Sequence, residues 1–140
     1  MDLLNTLDIS GSGLAAQRVR LQTAASNLAN ARTTRTPEGG PYRRRSPVFQ
    51  AEAIDPFGSE LDRALATVQI ERIDVAEGGG QTLYDPTHPD ADERGYVTMP
   101  DINILHEMAD LMTTARSYEA NANVIDITRD LANRALDIGR

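Results

Sequence analysis

Leu7, Leu14, Leu21 and Leu28 recur at intervals of seven, and Leu4, Ala24 and Ala25 widen them into one apolar stripe. Gln17, Arg18, Arg20, Gln22 and Asn27 point elsewhere, so the spacing predicts an amphipathic helix over residues 3–30. Ser10, Gly11, Ser12 and Gly13 interrupt it. Each Gly costs about 1 kcal/mol relative to Ala inside a helix, so a continuous free-standing helix is not expected across that stretch.

A longer pattern follows Pro100. Ile104, Met108, Leu111, Ala115, Tyr118, Ala122, Ile125, Arg129, Ala132 and Leu136 alternate steps of four and three, and only Arg129 breaks the apolar run. This is coiled-coil seam spacing. Val124, Ile127, Leu131 and Ile138 form a second stripe, so the end of this helix needs cover on two sides. Asp101 is the expected N-cap and Gly139 the expected stop. A rod of this length, roughly 50 Å at 1.5 Å per residue, exceeds what a compact domain of this size buries.

The middle of the chain is rich in Pro, Gly and charge. Thr36 to Pro41 and Glu77 to Gly80 read as turns or loops. Residues 67–76 read as a strand with Val68 and Ile70 on one face and Ile73 and Val75 on the other, a phase switch that implies a bulge or a twist. Residues 48–54 are a weaker strand that would pair with it. The expected fold is therefore mainly α: long terminal helices paired as a coiled-coil-like core, with a small β-containing insert. The expected parts are residues 1–34, 35–99 and 100–140.

Composition narrows the chemistry. Of 140 residues none is Cys, and all fourteen basic residues are Arg, which excludes thiol nucleophiles, disulfides and lysine-dependent catalysis. Residues 1–50 carry seven Arg against three acids, a net +4, whereas residues 51–140 carry seven Arg against eighteen acids, a net −11. Such polarity favours head-to-tail attraction between copies. No basic segment leads into an apolar core at the N-terminus, so no cleaved secretory signal is expected. No apolar run reaches membrane-spanning length.

Three candidate chemistries fail. Asp90-Ala91-Asp92-Glu93-Arg94-Gly95 has the outline of a calcium loop, but Arg94 stands at a ligand position and Asp101 is shorter than the usual bidentate Glu. His88 and His106 share no metal-binding spacing. Arg32, Arg35, Arg43, Arg44 and Arg45 cluster beside Tyr42, yet the acidic remainder opposes nucleic-acid binding. The guanidinium forks of Arg43, Arg44 and Arg45 instead suit carboxylates on another subunit. Asn27 and Asn30 are expected to hold the first helix's end against the second helix. No catalytic residue, cofactor, metal, nucleic acid or small-molecule substrate is expected.

The run from Ala25 to Thr34, with Asn27, Leu28, Asn30 and Thr33, resembles the signature of the flagellar axial rod and hook family. Similar to the proximal-rod branch are Gly40 to Arg44 and Asp85 to Ala91. So is the run Gly95-Tyr96-Val97-Thr98-Met99-Pro100-Asp101-Ile102-Asn103, which leads into Glu107, Met108, Arg116, Tyr118, Glu119 and Asn121. The resemblance implies an exported structural protein of the periplasmic rod, delivered uncleaved by the flagellar type III apparatus. It also implies assembly with copies of itself and with the rod proteins FlgB and FlgF, with FliE and FlgG as further candidates. A coiled-coil adaptor or chaperone-like binding module is the alternative, and a small metal-dependent enzyme is a third reading.

Overall fold

The computed structural model describes residues 3–54 and 65–138. Helix α1 spans Leu3–Ala29 and helix α2 spans Ile104–Ile138. Between them lie two antiparallel hairpins, β1 (Arg45–Ala53) with β2 (Ala66–Val75), and β3 (Gln81–Tyr84) with β4 (Tyr96–Met99). The helices pack side by side, and the first hairpin lies against α1. The chain is thus two long helices with a small two-sheet insert.

Packed against α2, helix α1 runs unbroken through Gly11 and Gly13. Tertiary packing overrides propensity here, because a Cβ on Gly13 would stand 2.8 Å from Nδ2 of Asn121, so Gly13 permits the close approach of α2. Ser12 donates its hydroxyl to the Ile9 carbonyl at 2.9 Å and accepts from the Val68 N–H at 3.1 Å, tying the helix to β2.

The α2 start also differs. Asp101 instead accepts from Gln81 Nε2 at 2.8 Å, and the cap is Asn103, whose Oδ1 accepts the His106 N–H at 3.1 Å. This satisfies one of the backbone donors that a helix start leaves free. The stop expected at Gly139 lies outside the described residues.

The strands bear on the phase switch in residues 67–76. Val48 pairs with Arg72 and Phe49 with Ile70, so Glu71 is an extra residue with no opposite partner. One inserted residue reverses the alternation. Val68, Ile70, Ile73 and Val75 therefore share one face, opposite Ala51, Phe49, Pro47 and Arg45, rather than dividing between two faces. The second hairpin had no counterpart in the sequence reading. It closes on Gly80, where a Cβ would collide with the Met99 carbonyl oxygen, and on Gly95 at φ 81°, where a Cβ would stand 2.9 Å from the Tyr84 ring.

Where the helices meet, the buried strip is mostly small and polar. In α1 it comprises Ser10, Ala16, Thr23, Ala24 and Asn27, and in α2 Glu107, Thr114 and Thr128. Half-buried Asn121 completes a polar heptad at 107, 114, 121 and 128. The apolar heptads lie one position round the helix. Leu7, Leu14, Leu21, Leu28, Leu111, Ala115, Ala122 and Ile125 are only half-buried. Ile104, Met108, Tyr118 and Leu136 are exposed within the subunit. Close packing of two backbones favours the small strip inward and leaves the bulky strip at its flank.

Candidate assembly site

The end of α1, the start of β1 and the first turn of α2 meet at one polar node. Asn27 is 1% exposed, and its amide makes four hydrogen bonds. Oδ1 accepts the Arg45 N–H at 2.9 Å and the Tyr42 hydroxyl at 3.2 Å. Nδ2 donates to the Arg45 carbonyl at 2.8 Å and to Oε2 of Glu107 at 3.1 Å. The amide thus pairs with Arg45 as a neighbouring strand would, fixing where β1 begins. Only Asn and Gln carry donor and acceptor at the same side-chain end for this purpose.

Glu107 is also 1% exposed. Its Oε1 accepts from Arg44 Nε at 2.6 Å, and the same guanidinium donates through Nη1 to Ser46 Oγ at 2.6 Å. A buried carboxylate is tolerated only when paired and hydrogen-bonded in this way. One turn further along α2, Asp110 pairs with Arg20. A notch of about 310 Å³ opens between these two ion pairs, with Pro47 and Phe49 of the hairpin on its wall.

The Arg run is therefore divided. Arg44 belongs to an intrachain pair, which corrects its expected role between subunits: Glu107 reaches it first. Arg45 stacks over Tyr42, its guanidinium carbon 5.7 Å from the ring centroid, and Arg43 is exposed. Asn30 does not reach α2. Its Nδ2 donates to the Ser26 carbonyl at 2.9 Å and its Oδ1 accepts the Thr33 hydroxyl at 3.1 Å, closing the last turn of α1.

The other motif residues are placed as follows. Gly95, Val97 and Pro100 are buried, and Tyr96 is exposed with its ring edge-on to Tyr84 at 5.2 Å. Arg116 and Glu119 are exposed. In the acidic loop, Asp92 Oδ1 accepts the backbone N–H groups of Arg94 and Tyr96, and Asp90 accepts the Thr34 hydroxyl at 2.7 Å. Hydrogen bonds from the Thr87 side chain and backbone hold the Asp85 carboxyl below its ordinary range. Sequence reasoning missed the Arg20–Asp110 pair and the inward turn of Glu107. The signal is the seven-residue repeat of Glu107, Thr114, Asn121 and Thr128, which a hydrophobic pattern does not reveal because its members are polar.

The two helices also carry the comparison with known proteins. Residues 7–35 match the flagella basal body rod protein family, and residues 93–138 match the C-terminal region of flagellar basal body rod FlgEFG proteins. A helical pair bearing both signatures defines a structural rod protein of the flagellar basal body, not an enzyme. The chain is 39% identical over 140 residues to the flagellar basal-body rod protein FlgC of Salmonella typhimurium, covering 100% of each. With FlgC of Aquifex aeolicus the identity is 40% over 137 residues, 98% of this chain and 97% of the relative. With that of Agrobacterium fabrum it is 43% over 133 residues, 93% and 90%. The chain belongs to the FlgC family.

Proposed function

We propose that this rod subunit self-assembles through its terminal helices, with the stripe of α2 that α1 leaves uncovered as the principal contact. Leu105 is 78% exposed, Met112 60%, Ile127 60% and Leu131 53%, and this observation carries the reading. So large an apolar surface on a chain with so few buried apolar residues calls for neighbours. In this reading residues 1–34 and 100–140 form the coiled-coil-like axial core of a helical assembly, and residues 35–99 form a lateral insert. Neighbouring copies, FlgB and FlgF cover the stripe, with FliE and FlgG as further candidate neighbours. The flagellar type III apparatus delivers the subunit, and the rod forms in the periplasm as part of the drive shaft between motor and hook.

The test is Met112→Asp combined with Leu131→Asp. Both sites are exposed, so the subunit is expected to be produced and to fold while basal bodies lack a rod and cells do not swim. Normal rods and swimming would overturn the reading.

A further inference from the structure

Arg35, Arg43 and Arg45 line a cavity of about 620 Å³ together with buried Tyr42, which lies under Arg45, and with Glu38 and Gly79. Among the described residues none of these three guanidiniums has a carboxylate partner, whereas Arg20, Arg44 and Arg72 each do. Glu38, the lining's one acid, pairs with none of them. The cavity therefore holds three charged forks at the end of the molecule where α1 finishes and α2 starts. Its shape and charge fit carboxylates, which Arg meets in a bidentate geometry.

The opposite end of α2 carries the complement. Asp126, Asp130 and Asp137 fall within about 40° of one another around the helix, all three exposed and without an ion pair among the described residues. The partial negative charge of the helix C-terminus adds to that of Asp137, in the last turn. They cannot reach the cavity of their own chain. Glu107 sits beside the node that holds Tyr42 and Arg45, and Asp126 and Asp137 lie roughly 28 and 45 Å further along α2 at 1.5 Å per residue. These three carboxylates and the three guanidiniums of the cavity are therefore far apart within one molecule.

We propose that the Arg35–Arg43–Arg45 cavity receives the acidic final turns of α2 from a second copy, the strip Asp126, Asp130 and Asp137. This rests on the self-assembly reading and names the contact within it. The joint is directional. Used head to tail, the pairing is heterologous and adds copies one after another.

The absence of native Cys makes the contact measurable. Two singly substituted subunits, Arg43→Cys and Asp130→Cys, carrying different tags, are expressed together in flagellated cells, and isolated basal bodies are oxidised. A disulfide-linked heterodimer is expected, lost on reduction and lost when Arg116→Cys replaces Asp130→Cys. Capturing basal bodies by one tag and detecting the other reports independently whether copies share a rod. Co-capture with no heterodimer, or with an equal Arg116 product, overturns the pairing and leaves self-assembly standing. Absence of co-capture overturns both. A second measurement covers variants that do not build rods: Arg43→Glu with Arg45→Glu is expected to abolish swimming, and adding Asp126→Arg with Asp130→Arg is expected to restore it. Swimming by the first pair, or no restoration by the second, counts against the proposal.

Discussion

Gly13 of α1 faces Asn121 of α2 so closely that a single added carbon would stand 2.8 Å from the Asn121 amide nitrogen, while nothing lies within 4 Å of the same position on Gly11. The two glycines cost α1 the same propensity and differ in what the helix pair gains. Gly11→Ala is expected to stabilise the subunit by about 1 kcal/mol, the Gly-to-Ala difference in a helix interior. Gly13→Ala is expected to fall short of that, because the Asn121 amide must swing out of the seam. Adding Asn121→Ala should recover the missing part as a coupling energy. Denaturant unfolding followed by circular dichroism measures these three variants and the Asn121→Ala single that the cycle needs, and equal gains from the two glycines would remove the role assigned to Gly13.

At the node, Asn27 Nδ2 donates to Oε2 of Glu107. Asn27→Asp keeps the shape but sets a second carboxylate against the first, in a place only 1% exposed. A cost of about 3–5 kcal/mol at neutral pH is expected, the range for breaking a buried charge arrangement. This variant should gain stability as the pH falls, since protonating one of the two facing carboxyls removes the repulsion and restores a donor. Thermal unfolding between neutral and mildly acidic pH tests the sign. A variant that loses stability as the pH falls would place Asn27 and Glu107 apart.

The oxygens Gln17 Oε1 and Thr114 Oγ1 are buried with no hydrogen-bond partner among the described residues. Thr114 is 0% exposed. Replacing an unsatisfied buried hydroxyl by a methyl of similar shape removes its desolvation cost, so Thr114→Val is expected to stabilise by about 1 kcal/mol. Destabilisation of that size would mean that the hydroxyl has a partner, and the polar heptad would then be a bonded ladder rather than a close-packed strip.

Both long helices were legible in the sequence because their apolar repeats extend over several turns, and that repetition outweighs local interruptions. Which side of each helix turns inward was not legible. The repeats at Leu7, Leu14, Leu21 and Leu28 and at Ile104, Met108 and Leu111 are the most apolar, so hydrophobicity alone assigns them to the interior. In a subunit that leaves apolar surface for neighbours, the intrachain contact can use smaller residues. The burial of Glu107 was not legible either, because its partners, Asn27 and Arg44, lie far away in sequence. The β1–β2 hairpin was visible through its β-branched residues, and the irregular phase between Ile70 and Ile73 pointed to the bulge that Glu71 forms. The short β3 and β4 strands offered no comparable run. They depend on Gly80 and Gly95 at their ends, and a glycine alone does not distinguish a hairpin from a loop.

Ile125 and Ile127 separate folding of the subunit from assembly of the rod. Ile125 is half-buried beside the contact with α1, and Ile127 is 60% exposed on the stripe assigned to neighbours. Ile125→Asp places a carboxylate where water is partly excluded, and a loss of about 1–3 kcal/mol in the isolated subunit is expected. Ile127→Asp meets solvent in the monomer, and a change within about 0.5 kcal/mol is expected, as for ordinary surface sites. In cells the order changes, because both variants should fail to build a rod, Ile127→Asp for want of an apolar contact alone. The pair is read by unfolding of purified monomer and by counting rods in basal bodies. If Ile127→Asp builds normal rods, the exposed stripe is not covered at that point in the assembly, and the principal contact has to be sought on the Leu7–Leu28 side of the helix pair.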